Sequence, residues 1–245
     1  MNDLRTTLVQ CDLRWEDPDA NCKLLEQQLG DLDGGTTDLI VLPEMFSTGF
    51  TMNSREMAEP MAESPAVAWL LDQARQRNCV VTGSVAVVEA GEYLNRLIWA
   101  RPDGSLVHYD KRHLFRMAGE HKRYAMGHER VITTLKGFRI LLSVCYDLRF
   151  PVWLRQNPGP EEHFEYDAIL CVANWPEPRR HPWRILLQAR AIENLCPVIG
   201  VNRVGEDANG MRYSGDSMLV NHKGEALIDE PAGGAFTKTG TLSRA

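Results

Sequence analysis

Short apolar runs that stop abruptly at polar or charged residues constrain this chain more than any other feature. Leu141-Leu142-Ser143-Val144 stops at Cys145, Asp38-Leu39-Ile40-Val41-Leu42 at Pro43-Glu44, Leu106 to Tyr109 at Asp110-Lys111, and Asp167 to Ala173 at Asn174-Trp175. Runs this short and this apolar read as strands covered on both faces. Helical patterns lie between them. Asp17-Pro18 opens a helix carrying Leu24, Leu25 and Leu29, and Ser64-Pro65 caps another carrying Val67, Leu70, Leu71 and Ala74. Trp183, Leu186, Leu187, Arg190, Ala191 and Asn194 mark one that ends before Pro197, each with the stop and start residues a helix needs. Further strands are expected at Thr6 to Gln10, Cys79 to Val88, Val198 to Val201 and Ser217 to Val220, with a hairpin of Tyr93 to Ala100 and Leu106 to Tyr109 around Arg101-Pro102-Asp103-Gly104. Phe150-Pro151 starts a short helix that Asn157-Pro158-Gly159-Pro160 ends. The alternation predicts an α/β fold, in which ligands bind beyond the strand ends.

At 245 residues and 44% hydrophobic, the chain reads as a single domain over 1–245. A net charge of -6 offers no basic surface for nucleic acid or anionic lipid. No window has the apolar length of a membrane span, and the polar opening Met1-Asn2-Asp3-Leu4-Arg5 is no secretory signal, so the expected location is cytoplasmic. The 6 cysteines form no C-x-x-C pair, which argues against a zinc site or a disulfide framework and for free thiols.

Cys145 therefore stands where a strand stops and a site can begin. Its own amide and that of Tyr146 can be free to donate there, the geometry a thiol nucleophile needs. The alternative is a small buried hydrophobe. Glu44 is either a solvated loop acid or, desolvated by Pro43, Met45, Phe46 and Phe50, a general base. Lys111 sits in a charge run that could equally be a solvated face, and Trp175 is a pocket wall or a core aromatic. The connection from Lys111 to Gly127 mixes charges, Glu120 among them, with Leu114, Phe115, Met117 and Tyr124, as functional loops do. A glutamate, a lysine and a cysteine can divide amide hydrolysis with no metal and no organic cofactor: the acid moves protons, the cation holds an oxyanion and the thiolate attacks.

These residues carry a resemblance. Leu42-Pro43-Glu44-Met45-Phe46, Tyr109-Asp110-Lys111-Arg112-His113-Leu114-Phe115 and Cys145-Tyr146-Asp147-Leu148-Arg149-Phe150-Pro151 resemble the glutamate, lysine and nucleophile motifs of the nitrilase (carbon–nitrogen hydrolase) superfamily, omega-amidase branch. Ala189 to Asn194 and Gly215-Asp216-Ser217 are similar to further signatures of that family, while Pro182 stands where a histidine is common. The resemblance implies a four-layer αββα sandwich, a back-to-back homodimer, and a C-terminal tail that is missing or shortened here. It implies Glu44, Lys111 and Cys145 as catalytic residues, Glu120 as a second glutamate orienting Lys111, the Tyr146 amide as oxyanion donor, and Phe46, Arg149 and Trp175 at the substrate.

The implied substrate is a small 2-oxo acid omega-amide, such as 2-oxoglutaramate or 2-oxosuccinamate. An N-carbamoyl amidase or a nitrilase would use the same residues, and a catalytically silent scaffold is a rival of another class. A papain-like pairing of the cysteine with His113 or His181 has no local signature behind it. The cations Arg112, His113, Arg116, Arg149, Arg179 and Arg180 cluster around the motifs, and one of them, Arg149 foremost, is expected to hold a substrate carboxylate.

Overall fold

The computed structural model describes residues 3–157 and 164–243. The chain opens with β1 (Leu4–Gln10) and α1 (Pro18–Leu29), where the Asp17 side chain accepts from the Ala20 amide and Pro18 occupies the first turn. β2 (Leu39–Val41) and the short α2 (Ser54–Met57) and β3 (Glu59–Pro60) lead to α3 (Pro65–Arg77). The Ser64 side chain makes no capping hydrogen bond; Pro65 alone sets the first turn, and Asn78 in the left-handed region ends the helix. β4 (Val80–Glu89) pairs antiparallel with β5 (Glu92–Ala100) and extends to a meander the expected hairpin of β5 and β6 (Leu106–Asp110). β7 (Ile132–Leu135), β8 (Phe138–Val144), α4 (Pro151–Leu154), β9 (Ala168–Val172), α5 (Arg180–Asn194) and β10 (Val198–Val201) follow. α4 stops at Arg155, ahead of the proline-rich stretch, whose residues from Pro158 lie outside the described ones.

A seven-stranded sheet contains β1, β2, β4, β5 and β6 in that order, with β3 beside β4 and a C-terminal strand beside β1, and a six-stranded sheet contains β10, β9, β8 and β7. Side-chain alternation builds the layers. In β2, Leu39 and Val41 join Leu8, Trp99 and Tyr109 in a core shared with Leu142, Leu170 and Ile199 of the other sheet, whereas Ile40 meets Leu25, Val67 and Leu70 of α1 and α3. On the far side Trp183, Leu187 and Ala191 of α5 cover the second sheet. The result is the αββα order of layers.

The C-terminal part departs from expectation. β13 (Met218–Val220) is the foreseen late strand, but a hairpin of β11 (Val204–Glu206) and β12 (Arg212–Ser214) precedes it, and β14 (Ala226–Asp229) and β15 (Phe236–Leu242) follow it. β14 pairs with β13, while β15 crosses to the first sheet and lies antiparallel to β1. β15 escapes notice because its Thr237, Lys238, Thr239 and Thr241 are those of a half-exposed edge strand, which needs no apolar run.

For the site, strand direction matters most. β2 is parallel to β4, and β6 is antiparallel to β5, which is antiparallel to β4. β2 and β6 therefore end at the same edge of their sheet. β8 and β9 are likewise parallel and end together in the other sheet.

Candidate active site

Glu44 follows β2 by way of Pro43 and is fully buried. The next residue, Met45, takes φ 43, a left-handed conformation that costs a side-chain-bearing residue energy. Ser84 of β4 holds the turn: its hydroxyl accepts from the Met45 amide at 2.8 Å and its carbonyl from the Phe46 amide at 3.1 Å. Glu44 Oε1 then accepts from Lys111 Nζ and from Asn95 Nδ2, both at 2.8 Å, and Oε2 accepts from the Asn174 amide at 2.7 Å. The Asn174 side chain donates in turn to the Glu44 carbonyl. Both oxygens of this carboxylate are bonded within the protein, as a charge at zero exposure requires.

Lys111 leaves β6 with its amide bonded to the Asn95 carbonyl at 3.0 Å. Its Nζ lies 2.9 Å from each oxygen of Glu120, and Asn95 Nδ2 reaches Glu120 Oε1 at 3.3 Å. Glu120 is carried by the second of two 3₁₀ turns, Arg116–Ala118 and Glu120–Lys122, and is fixed from behind by the Phe115 amide. Burial pushes the Lys111 ammonium down, but Glu120 and then Glu44 raise it by more, so its proton is held well above the ordinary range. Burial raises Glu120 against the pull of Lys111, and the charge of Glu44 adds to the rise. One ammonium between two carboxylates is a cluster in which each member depends on the others; removing one partner of such a buried set costs about 3–5 kcal/mol.

Cys145 follows β8 at φ 47 and begins the 3₁₀ turn Cys145–Arg149. The first amides of such a turn, that of Tyr146 among them, have no carbonyl of the turn to bond. Cys145 is 6% exposed and lines a cavity of about 450 Å³. Burial, then the carboxylate of Glu44, push it far above the usual thiol range, with Lys111 pulling the other way. At neutral pH the sulfur therefore keeps its proton, and Glu44 is the carboxylate beside it. The other cysteines do not line this cavity; burial lifts Cys11, Cys22, Cys171 and Cys196 to about 12 and Cys79 to about 11.

The cavity walls are Phe50, Phe115 and Trp175, with Asp207 and Tyr213 of the β11–β12 hairpin opposite. The Arg149 guanidinium lies 4.9 Å from the Trp175 ring and that of Arg179 5.1 Å from Phe115. Both line the cavity, and neither has an ion pair among the described residues.

Of the residues singled out from sequence, Glu44, Lys111, Glu120 and Cys145 converge, Tyr146, Arg149 and Trp175 line the cavity, and Phe46 does not. Phe46 is fully buried against Trp69, 5.5 Å between ring centres, in the core under α3. Phe50, past a left-handed Gly49 at φ 73, takes the place at the wall. Among the other cations, Arg116 is exposed, Arg180 pairs with Asp216 at 2.7 Å, and Arg112 donates to the Gly127 carbonyl at 3.1 Å. His113 is bonded to Asp147 at 2.8 Å, and His181 is exposed on α5. Sequence reasoning missed Asn95 and Ser84. A lone amide at the centre of the apolar strand Glu92–Ala100 was the available signal for the first; nothing in the local pattern marked the second.

The carbon–nitrogen hydrolase family profile matches residues 5–244. The chain is 45% identical over 245 residues to the omega-amidase YafV of Escherichia coli (strain K12), covering 100% of this chain and 92% of that one. It is 32% identical over 224 residues to a 2-oxoglutaramate amidase of Bacillus subtilis (strain 168), covering 90% and 84%. Among solved structures, a CN-hydrolase superfamily protein of Xanthomonas campestris with an arsenic adduct in its active site is 45% identical, with a TM-score of 0.95 over 99% of this chain and 91% of that one.

Proposed function

The chain belongs to the carbon–nitrogen hydrolase family, and from that premise we propose that it is an omega-amidase, cleaving the terminal amide of a small 2-oxo acid such as 2-oxoglutaramate to the acid and ammonia. The observation that carries the reading is the buried Glu44–Lys111–Glu120 cluster whose charges act on Cys145, which itself lines the cavity.

Glu44 takes the Cys145 proton as the sulfur attacks the amide carbon, so the charge appears on the carbonyl oxygen rather than on a free thiolate. Lys111 Nζ and the Tyr146 amide hold that oxygen. Glu44 passes its proton to the nitrogen, the carbon–nitrogen bond breaks, and ammonia leaves a thioester on Cys145. Glu44 then takes a proton from water as the water attacks the thioester; the carbon–sulfur bond breaks and the thiol regains the proton. Glu120 keeps Lys111 aimed throughout. Arg149, at the cavity wall and without an ion pair among the described residues, anchors the distal carboxylate, and Trp175 supports its guanidinium.

The test is ammonia release from 2-oxoglutaramate, 2-oxosuccinamate, a nitrile and an N-carbamoyl amino acid. The two omega-amides are expected to lead in kcat/KM; a lead by the nitrile or the carbamoyl compound overturns the substrate, and release from none overturns the function. The same reading includes a homodimer, supported by Ile185 and Ile192, two turns apart on the outer face of α5, and by Leu195 beyond it, all exposed. Light scattering decides that point. Six unpaired cysteines support a reducing, cytoplasmic location, and no helix of the described residues is long and apolar enough to cross a membrane.

A further inference from the structure

The proposed reaction needs Lys111, at the end of one sheet, and Cys145, at the end of the other, to meet at a single substrate oxygen. We infer that Asp147 is the positioning residue that couples them. Asp147 is fully buried. Its Oδ1 accepts from the His113 amide at 2.9 Å and from the His113 ring Nδ1 at 2.8 Å; its Oδ2 accepts from the Tyr109 hydroxyl at 2.7 Å and from the Val144 amide at 3.0 Å. The ring contact is a hydrogen bond in the His113 tautomer that places the hydrogen on Nδ1. Donors two residues before and two residues after Lys111, together with the residue immediately before Cys145, thus end on one side chain.

The surrounding contacts extend the same tie. The Tyr109 oxygen accepts from the Arg112 amide and from Trp153 Nε1, both at 3.2 Å, and the His113 ring stacks on Phe150 with centres 3.7 Å apart. From the α5 side Arg190 closes the far end of the Cys145 turn, with Nε and Nη2 at 3.0 and 2.8 Å from the Leu148 carbonyl. A buried carboxylate is a costly way to fill space, and an apolar side chain would fill it at less expense. What the carboxylate adds is two fixed oxygens that take donors from both sheets, and so a fixed offset between the oxyanion cation and a nucleophile held at positive φ.

This inference rests on the amide-hydrolase reading, and its test separates the two. Each variant is compared with the parent on whichever amide the parent hydrolyses. In Asp147→Asn one acceptor becomes a donor facing two donors, one of which, whichever oxygen is replaced, is a backbone amide that cannot reverse. The expected result is a folded protein with KM near the parent's and kcat lower by about 10²-fold, the loss that a misplacement of roughly 1 Å brings. Tyr109→Phe removes one strut only and should lose less, again in kcat. Alkylation of Cys145 by iodoacetamide should keep the parent rate in both, because it builds no oxyanion for Lys111 to hold. Parent-like kcat, a loss confined to KM, or alkylation slowed by the same factor as kcat each overturns the inference, the last because Asp147 would then hold the thiol alone. If Asp147→Asn does not fold, Tyr109→Phe decides: a parent-like kcat overturns the coupling. A parent that hydrolyses no amide refutes the functional reading, and the inference falls with it.

Discussion

Two carboxylates flank the same short strand, β2, and they live in different physical worlds. Asp38 precedes it, half-buried, pairing with Arg5 at 2.7 Å and Lys136 at 3.1 Å, both of which reach solvent. Glu44 follows it, fully buried, with Lys111, Asn95 and the Asn174 amide around it. At the first end water shares the work of solvating the charges, so each partner can be lost at small cost. At the second the protein does all of it, and every group there is fixed by another. The lesson is that a strand's sequence neighbours do not reveal the role of a carboxylate; its share of water does.

The largest effect should come from the sulfur that Glu44 serves. Cys145→Ala and Cys145→Ser should lose turnover by on the order of 10⁴-fold or more, since the covalent route is removed, while thermal unfolding stays cooperative. Near-parental turnover in Cys145→Ala would break the comparison at its root, for Glu44 would then have no thiol to serve. Replacing Cys171 or Cys196 by alanine should change stability alone.

Next is the cation. Lys111→Ala leaves Glu44 and Glu120 facing each other at the centre of the site, so both rate and stability should fall, by roughly 10²-fold or more in kcat and about 3–5 kcal/mol in unfolding free energy. Lys111→Arg should recover little of the rate, because a planar guanidinium does not replace a compact ammonium between two carboxylates. Chemical denaturation and ammonia release on the same preparations separate the two losses. Full activity in Lys111→Ala would remove the oxyanion role.

The third effect lies at the wall. Arg149→Met should lower kcat/KM for 2-oxoglutaramate by the equivalent of about 1.5–3 kcal/mol, the range for a charged hydrogen bond, and leave its methyl ester nearly untouched. An equal fall for acid and ester would show that the carboxylate is not read there. Arg179, with its guanidinium over Phe115 in the same cavity, is then the next to test.

How much of this could be read beforehand follows the same division. Strands buried on both faces must be apolar throughout, so β2, β8 and β9 stood out, and the residues at their exits with them. Edge elements can be polar, so β15 and the β11–β12 hairpin did not. Asn95 and Ser84 meet through strand pairing: β4 and β5 bring the Ser84 hydroxyl within 2.8 Å of Asn95 Oδ1, and while a lone amide marks the first, no local pattern marks the second. Phe46 and Phe50 look alike in composition; the turn between them sends one ring into the core and the other to the cavity.

The smallest expected effect is at the other end of β2, and it tests whether the two ends are separable. Burial raises the Asp38 carboxyl, but the hydrogen bonds from Arg5, backbone and side chain, and from Lys136 outweigh it and hold the group at about 2 against the ordinary 3.8. A carboxyl whose folded value lies below its unfolded one binds its proton more weakly in the native state. Its contribution is therefore complete above the unfolded value and is lost as the pH falls through the folded value. Asp38→Asn should lower the urea midpoint at neutral pH by the equivalent of about 1–2.5 kcal/mol, between the range for solvent-screened pairs and the full linkage of the lowered carboxyl. The gap between parent and variant should narrow as the pH drops below 3.8 and close near 2. Over the same range kcat/KM should be unchanged wherever the parent is active, because nothing at that end touches the cavity. A midpoint gap that widens in acid would reverse the sign of the linkage, and a loss of rate would mean that β2 transmits strain from Asp38 to Glu44 and that its two ends are one system.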